Sequence, residues 1–514
     1  MNRTSLAQNV LWILLLVQGM NAGAAAERTA DRSKCVETGL LPAIVIEGRT
    51  EERFSLEERM HFYKTPGVSI AVINNGEIEW AHGYGSCEIG TTNLVTTDTV
   101  FQAASISKPV AAMVALRLVE EGKLDLDEDV NRKLVSWKLP ENEFTKDKKV
   151  TLRLLLSHRG GLTDHAGFQH AVPSQPLPTL REILESGKWT PAPIRVGLEP
   201  GSRFQYSGGG FCLMEQLLED VSGKPFPVLA RELVLGPLHM TNSSFEQPLS
   251  AERAQSAASG HRTNGKRLPQ NWNLYPATSA AGLWTTPTDL ARFAIEIQKS
   301  RTGRSTKVLS QRMTAEILTP QGGQDDRDSK AIALMEGFSE KLALSRGLGV
   351  GLIGQPAIRF FHTGSNPGYQ CELQAFMENG RGAVIMTSAD QGWRLGREIL
   401  WAIAKEYDWP GYDYEPDVKK VAPVTADELS RLVGQYRLAF AAPTKTVISV
   451  SRDGNQLFAQ ISDRPNKVKL YPESDSKFFA IEDAMSLTFV RDETGAISEI
   501  VSDQGWRAKR ERIK

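Results

Sequence analysis

The stretch FQAASISKPV at residues 101–110 carries a serine and a lysine three positions apart, Ser105 and Lys108. Apolar residues follow at intervals of three and four, which predicts an amphipathic helix from about Ser105 to Glu121, with Gly122 as its end. Residues i and i+3 share a helix face, so the lysine amine would be within reach of the serine hydroxyl. That pair could do nucleophilic chemistry, although many surface helices begin with a serine and carry a lysine one turn later.

Two further segments place reactive side chains beside glycines. In FQYSGGGF, Tyr206 precedes three glycines; it is either a core tyrosine before a turn or a phenol at a sharply bent loop that leaves room for substrate. In FHTGSNPGY, His362, Thr363 and Gly364 are predicted at the start of an edge strand. The histidine is either satisfied near a turn or part of a strand whose glycine lets an acyl group approach the backbone.

Strands near both ends of one region would have to position these segments. VSIAVINNGEIEWAHGYG predicts a β-hairpin with its turn at Asn75-Gly76. The region from about 99 to 300 is predicted to be mainly helical. Later strands are predicted near 358–361, 370–377 and 382–388, followed by a helix at 393–407. Strands at both ends with helices between them predict one sheet assembled from the two ends of a domain.

Helix-end signals lie close to the three segments. TLRLLLSHRGGL at 151–162 is predicted as a helix that ends in a Gly-rich loop, and FCLMEQLLEDVSGKP as a helix with Gly223 near its end. In TTPTDLARFAIEIQ, Thr286 suits an N-cap, Pro287 the first helical position and Asp289 the reciprocal cap.

The pattern changes after the predicted helix at 393–407. Residues 409–425 hold three prolines and few aliphatic residues, which indicates a linker. Alternating runs then surround turns at Asp453-Gly454 and Thr494-Gly495. We therefore predict a small antiparallel β domain over 426–514.

Composition and the N-terminal segment limit the partners and the cellular location that we expect. Lys+Arg is 60 and Asp+Glu is 61, so no charge excess favours a nucleic-acid partner or an anionic membrane. Residues 1–26 combine Arg3, the apolar core VLWILLLV and a small-residue stretch, which predicts a secretory signal and an exported protein. Export permits disulfides. Four cysteines allow three pairings, and the sequence does not choose among them; they are Cys35, Cys87, Cys212 and Cys371.

Taken in this order, the three segments resemble the motifs of the serine β-lactamase and penicillin-binding protein superfamily. The branch they resemble has a tyrosine in its second motif, as in class C β-lactamases, D-aminopeptidases and family VIII carboxylesterases. Blocks between about 55 and 405 are also similar to that family, namely TPGVSIAVINNG, LLSHRGGLTDH, EPGSRFQYSGGGF, GPLHMTNSSF and AAGLWTTPTDLARF. The resemblance implies an α+β, β-lactamase/transpeptidase-like fold over 27–408, with an antiparallel sheet, flanking helices and a mainly helical insert.

The resemblance also implies roles for individual residues. Ser105 would be the acylated nucleophile and Lys108 its buried neighbour. Burial lowers a lysine pKa and a nearby cation lowers a tyrosine pKa, so Lys108 and Tyr206 could move a proton at neutral pH. Tyr206 would be the base for attack and the acid for the leaving group. The oxyanion would lie between the backbone N–H groups of Ser105 and Ser365, and water would release the acyl group without a metal or organic cofactor.

Two positions depart from the β-lactamase pattern. Gly208 stands where that family has asparagine, which removes a side-chain amide that would touch substrate. His362 stands where the family has the lysine of K-T-G, so recognition of a substrate carboxylate is expected to be weaker or pH-dependent. His-x-Gly is typical of D-aminopeptidase-like members, and carboxylesterases more often carry tryptophan there. Both departures argue against an efficient β-lactamase.

Other catalytic signatures find little support. No G-x-S-x-G elbow occurs, and SGGGF lacks the Lys-Ser/Thr of a phosphate loop. His158, His165 and His170 match no standard zinc spacing and are predicted to be polar loop histidines rather than metal ligands.

The sequence therefore predicts an exported, periplasmic or secreted serine hydrolase without a stable membrane anchor after signal cleavage. Its partner would be a small-molecule or short-peptide substrate, with a D-amino-acid peptidase or amidase ahead of a carboxylesterase or a weak β-lactamase. The alternative of another class is a non-catalytic protein that binds peptidoglycan fragments or penicillin.

Overall fold

The computed structural model describes residues 29–50, 52–162, 170–185, 192–322, 326–336, 342–412, 414, 416–439, 446–462, 467–482, 485–503 and 505–511. The predicted signal at 1–26 lies outside these ranges. The described residues form two compact units. One unit is Tyr63–Gly396, and the other contains the described residues up to Phe62 and from Arg397 onward.

A seven-stranded sheet is the framework of the unit Tyr63–Gly396, and all its neighbouring strands run antiparallel. The strand order across it is Glu77–Gly85, Gly67–Asn74, Gly382–Thr387, Tyr369–Phe376, Ala357–Asn366, Gly351–Gly354 and Leu344–Arg346. Gly67–Asn74, from the start of the unit, pairs with Gly382–Thr387 near its end. The predicted assembly of one sheet from both ends of a domain is confirmed.

The first hairpin forms where the sequence predicted it. Asn75 has φ +54° and Gly76 has φ +75°, so both turn residues occupy the left-handed region. Such a two-residue turn matches the right-handed twist of the strands that it joins.

The strand Ala357–Asn366 is internal along its first half and open along its second. On one side Tyr369–Phe376 pairs with it from Arg359 to Asn366. On the other side Gly351–Gly354 pairs only as far as Phe361, because the chain turns away at Gly349, which has φ +78°. The predicted edge strand is thus correct for His362–Asn366 and wrong for the residues before it. The prediction that His362 begins the strand is also wrong.

The helix Pro287–Arg301 packs on this sheet, Asp326–Glu336 packs against its last strand, and other helices fill the middle of the sequence. The α-helices are Ser107–Glu120, Leu152–Leu156, Leu180–Glu185, Gly208–Ser222, Phe226–Ala230, Ala251–Ala254, Thr278–Ala281, Pro287–Arg301, Gln311–Ile317, Asp326–Glu336 and Gly392–Glu406. Short 3₁₀ turns are Ala104–Ile106, Val130–Arg132 and Glu143–Thr145, a π turn is Arg231–Leu235, and Phe101–Gln102 pairs with Trp284–Thr285.

The helix Ser107–Glu120 is buried on nearly every side rather than on one face. It packs against Thr278–Ala281, Phe226–Ala230 and Gly208–Ser222. The prediction of a helix here is confirmed, but its amphipathic character is wrong. A helix surrounded by others is apolar all round, which is why the lysine near its start lies inside the protein.

The N-cap of Pro287–Arg301 is half as predicted. Thr286 Oγ1 accepts the N–H of Asp289 at 3.2 Å, as an N-cap should. The Asp289 carboxylate instead accepts the N–H of Asn242 at 2.9 Å and the hydroxyl of Ser243 at 2.8 Å. The reciprocal cap is therefore wrong, in keeping with the preference of that position for the longer Glu or Gln.

The second unit contains a closed antiparallel barrel. Its eight strands are Gly434–Ala439, Val447–Asp453, Gln456–Ile461, Lys467–Pro472, Lys477–Ala480, Met485–Arg491, Ile497–Ser502 and Arg507–Arg510. The helix Ala426–Leu432 precedes them, and Leu56–Phe62 belongs to the same unit. Asp417–Lys419 pairs in parallel with Ile44–Ile46, so three residues of the predicted linker form a strand.

The four cysteines all lie within the described ranges and are not joined in disulfides; Cys35 is exposed, and Cys87, Cys212 and Cys371 are buried. Within the described ranges, every helix is too short or too polar to cross a membrane.

Candidate active site

Ser105 lies on a strained turn at the start of the buried helix. The 3₁₀ turn Ala104–Ile106 leads directly into Ser107–Glu120. Ala104 has φ +49°, a conformation that costs free energy for a residue other than glycine and persists only when neighbours enforce it. Ala104 and Ile106 are fully buried, whereas Ser105 is partly exposed. The turn therefore presents one hydroxyl outward from a packed core, and no sequence signal announced its strain.

Lys108 lies directly behind that hydroxyl. Its side chain is fully buried, and Nζ donates to Ser105 Oγ at 3.1 Å and to the carbonyl of Ala280 at 2.7 Å. A buried amine needs hydrogen-bond acceptors to offset its lost hydration. The one-turn proximity predicted from the S-x-x-K spacing is present in the structure.

Ser107 holds the turn in place. Its hydroxyl donates to the carbonyl of Ala104 at 2.5 Å and accepts the N–H of Leu283 at 2.9 Å. The N–H of Ala103 donates to the carbonyl of Leu283 at 2.8 Å. These contacts bind the strained turn to the segment before Trp284, a positioning role that sequence reasoning missed.

Tyr206 faces the lysine from a second element. Its ring centroid is 5.0 Å from Lys108 Nζ. The following residue, Ser207, caps the helix Gly208–Ser222 by accepting the N–H of Gly210 at 3.0 Å. The predicted sharply bent glycine loop is therefore wrong: Gly208 and the next two glycines form the buried first turn of the helix.

His158 supports Tyr206 from behind. The two rings stack with centroids 4.2 Å apart and planes 32° apart. His158 Nδ1 accepts the N–H of Ser207 at 3.1 Å, and its carbonyl accepts the N–H of Gln205 at 2.8 Å. The backbone of His158 is left-handed, with φ +58°. One strained residue thus holds the backbone on both sides of Tyr206.

The environment of His158 keeps its ring uncharged. Burial, followed by the nearby cations Arg346 and Lys108 and by His362, holds the pKa of His158 well below its usual value of 6.5. A neutral ring whose Nδ1 accepts a hydrogen bond carries its proton on Nε2. His158 lies in the turn after Leu152–Leu156, as a loop histidine should, but it is only 3% exposed, which the sequence did not indicate.

The metal alternative has no geometric support in the described chain. No three side chains of His, Cys, Asp or Glu come together there as a metal ion would require. His170 is exposed, and His165 lies outside the described residues.

Arg346 adds a buried positive charge that sequence reasoning missed. It ends the strand Leu344–Arg346 and is 3% exposed. Its guanidinium carbon lies 5.7 Å from the ring centroid of Tyr206, with the rings of Phe204 and Phe361 at 5.5 and 5.7 Å. Three aromatic faces therefore surround one cation beside Tyr206.

The His-Thr-Gly segment lies on the open half of its strand. His362 is 1% exposed, with Nδ1 2.6 Å from the carbonyl oxygen of Thr363. Thr363 is partly exposed, Gly364 buried and Ser365 exposed, as the alternation of a strand requires. Substrate contact by His362, Thr363, Gly364 and Gly208 stays a prediction, but the buried imidazole does not line an open surface.

Gly364 is needed for a contact within the protein. A Cβ built on it would lie 2.2 Å from the carbonyl oxygen of Ala103. The approach of an acyl group to the backbone of this strand stays a prediction, but the space beside the Gly364 α-carbon is filled by the backbone of Ala103, just before the nucleophile turn. The strand therefore lies against the turn, and the oxyanion hole from the N–H groups of Ser105 and Ser365 stays a prediction.

Comparison with known proteins assigns the larger part of the chain to a known family. A family model described as Beta-lactamase matches residues 55–408. The chain belongs to the β-lactamase family. Members of this family are serine hydrolases, and the sheet and helices described above have its transpeptidase-like fold. A second model, described as Domain of unknown function (DUF3471), matches residues 418–512.

Individual relatives span most of the chain at low identity. Penicillin-binding protein 4* of Bacillus subtilis (strain 168) is 24% identical over 465 residues, which cover 87% of this chain and 95% of that protein. The octameric penicillin-binding protein homologue from Pyrococcus abyssi has a TM-score of 0.56 at 21% identity, covering 88% of this chain and 98% of the homologue. Beta-lactamase/D-alanine carboxypeptidase from Yersinia pestis, complexed with citrate, has a TM-score of 0.52 at 17% identity, covering 68% and 96%. These structures share the fold.

Proposed function

We propose that the protein is an exported serine hydrolase that cleaves an amide or ester bond through an acyl-enzyme on Ser105. The observation that carries this proposal is the buried amine of Lys108, 3.1 Å from the Ser105 hydroxyl, with the Tyr206 ring 5.0 Å from the same amine. A nucleophile beside a base, which is itself held by further groups, is the arrangement that activates a serine.

The reaction follows from the positions of these groups. Ser105 Oγ attacks the substrate carbonyl carbon while its proton passes to the Lys108–Tyr206 pair. The developing oxyanion is stabilised by the backbone N–H groups of Ser105 and Ser365. The tetrahedral intermediate collapses as Tyr206 protonates the leaving nitrogen or oxygen. Water then attacks the ester on Ser105 and releases the acid.

A D-amino-acid or small-peptide substrate is the favoured class. The Yersinia pestis protein of similar fold is described as a Beta-lactamase/D-alanine carboxypeptidase, and His-x-Gly in place of Lys-Thr-Gly favours an amino-acid amide over a β-lactam. Gly208 and His362 replace two side chains that a β-lactamase uses on its substrate. A carboxylesterase or a weak β-lactamase would use the same nucleophile, so substrate rate constants decide among these activities.

A non-catalytic protein that binds peptidoglycan fragments or penicillin is the alternative from another class. Ser105, Lys108 and Tyr206 lie together, and such a protein has no physical need for all three groups. The neutral His158 and the buried Arg346, which lies among three aromatic rings beside Tyr206, also favour a catalytic acid–base site.

Export and the domain boundaries are part of the proposal. The three-part layout of residues 1–26 supports cleavage of a signal and a periplasmic or secreted protein. We place the hydrolase domain at 27–408, a linker at 409–425 and the β domain at 426–514.

Covalent labelling tests the nucleophile. A fluorophosphonate or a fluorescent penicillin should add to Ser105, and Ser105→Ala should abolish both the adduct and turnover. Intact-mass and peptide mass spectrometry locate the adduct. An adduct on another residue, or full labelling of the Ser105→Ala variant, would reject the assignment.

A substrate panel tests the reaction class. Short-chain p-nitrophenyl esters, D-amino-acid p-nitroanilides and nitrocefin are compared at matched concentration. We expect kcat/KM to be highest for an amide or ester, with β-lactams as slow acylators. A nitrocefin value well above every ester and amide would overturn the substrate ranking while leaving the nucleophile in place.

A further inference from the structure

A buried carboxylate lies behind the lysine, outside the machinery described above. Glu215 is on the helix Gly208–Ser222 and is 3% exposed. Its Oε1 accepts the hydroxyl of Thr278 at 2.7 Å, and its Oε2 accepts the N–H of Ser279 at 2.8 Å. Both oxygens therefore hold the start of the one-turn helix Thr278–Ala281.

That turn carries an acceptor for the catalytic amine. The carbonyl of Ala280, the next residue after Ser279, accepts a hydrogen bond from Lys108 Nζ at 2.7 Å. The hydroxyl of Ser279 donates to the carbonyl of Phe211 at 3.1 Å, which ties the turn to the helix that bears Glu215. A continuous chain of short contacts thus runs from Glu215 through this turn to Lys108 and Ser105.

A cavity links this carboxylate to the surface. Its volume is about 420 Å³, and Glu215 and Thr278 line it together with the exposed residues Thr179 and Arg181. The cavity therefore offers a route by which the carboxyl group exchanges its proton with solvent.

Among the described residues, few charges face Glu215 from the neighbouring elements. Glu219 lies one turn on along the same helix, and Arg181 of Leu180–Glu185 lines the same cavity. The turn Thr278–Ala281 contributes uncharged donors, namely the Thr278 hydroxyl and the backbone N–H and hydroxyl of Ser279. Burial, with a smaller contribution from Glu219, raises the pKa of Glu215 to about 7.

We propose that Glu215 is a positioning residue for Lys108 and that its ionised form holds the turn Thr278–Ala281 in the geometry needed to acylate Ser105. The proposal rests on the proposed function. An ionised carboxylate has two acceptor oxygens, whereas a protonated one must use one oxygen as a donor. Protonation therefore weakens or reverses one of its two contacts to the turn and loosens the carbonyl of Ala280 that Lys108 uses.

The pH dependence of Ser105 labelling tests the proposal. Pseudo-first-order rates with a fluorophosphonate are measured from pH 5 to 9 for wild type, Glu215→Gln and Glu219→Gln. Glu219→Gln is the matched control. Glu219 lines the same cavity, but its carboxylate accepts the N–H of Phe226 and not a donor from Thr278–Ala281.

The plot of labelling rate against pH is expected to show an inflection near pH 7 in wild type and in the Glu219→Gln control. One unit below its pKa about a tenth of a carboxyl group is ionised, and the protonated remainder should label as slowly as Glu215→Gln, so the labelling rate should fall about five-fold from its plateau to pH 6. Glu215→Gln should label at about a tenth of the plateau rate and lose this inflection, while retaining those of the other catalytic groups. Equal profiles for wild type and Glu215→Gln would overturn the proposal.

A conservative variant keeps the test decisive if Glu215→Gln does not fold. Glu215→Asp retains the charge, and its inflection should move down by about 0.4 units, the difference between the reference values of the two acids. An inflection that stays where it is in wild type would overturn the proposal. Absence of labelling in all proteins at every pH would instead reject the proposed function, and the role of Glu215 with it.

Discussion

An alanine at Gly364 should disturb the nucleophile without removing any catalytic group. Its Cβ would lie 2.2 Å from the carbonyl oxygen of Ala103, and real Cβ atoms do not approach closer than 3.0 Å. The backbone fixes the position of the Cβ, and the oxygen is a backbone atom, so neither can rotate away. The turn that carries Ser105 and the strand that carries Ser365 must separate by about 0.8 Å, the difference between these distances.

The effect on acylation should be large. A misplacement of about 1 Å at a catalytic site costs about 100-fold in rate, which corresponds to about 2.7 kcal/mol of activation free energy. The free energy of unfolding should fall by about 1–3 kcal/mol, as for other overpacked positions. Gly364→Ala should therefore fold but react slowly.

The assay is the second-order rate constant of Ser105 labelling by a fluorophosphonate, with circular dichroism to confirm folding. Gly210→Ala is the matched control, because its Cβ would meet its nearest neighbour, Leu162 Cδ1, at an ordinary 3.5 Å. We expect the control to label within about three-fold of wild type. A Gly364→Ala protein that labels equally fast would refute the argument that this contact sets the position of Ser105.

Three further predictions follow from the site. Lys108→Met should slow labelling by at least about 1,000-fold, measured at a pH where wild type reacts fastest. In His158→Asn the new residue tolerates a left-handed backbone and keeps a hydrogen-bond acceptor for the N–H of Ser207, whereas His158→Phe keeps only an aromatic ring. Ser105 should therefore be labelled faster in His158→Asn than in His158→Phe. Equal labelling rates would show that the hydrogen bond from Ser207 does not matter for the reaction. The pKa of Glu215 rises from 4.5 to about 7 on folding, so ionisation at higher pH destabilises the folded state. As pH rises through this window, the free energy of unfolding of wild type should fall by up to about 3 kcal/mol relative to that of Glu215→Gln. Urea unfolding of both proteins at pH 5 and 8 measures this difference.

The sequence by itself determined the turns and helix ends, because these depend on residues only a few positions apart. The Asn75-Gly76 hairpin, the Thr286 N-cap and the left-handed Gly223 each follow from residue types within a few positions. The contact between Lys108 and Ser105 follows from one turn of helix. The order of motifs along the chain also indicated the family, because that order is carried by the sequence.

Only the tertiary structure decided what surrounds these groups. His158, Arg346 and Glu215 come from three distant segments, and periodicity within a segment carries no information on which distant side chains meet. The left-handed Ala104 and the glycine at 364 are likewise explained only when the turn and the strand lie together. Sequence spacing set the distance between nucleophile and amine, whereas burial and long-range hydrogen bonds set the charges and positions of the groups around them.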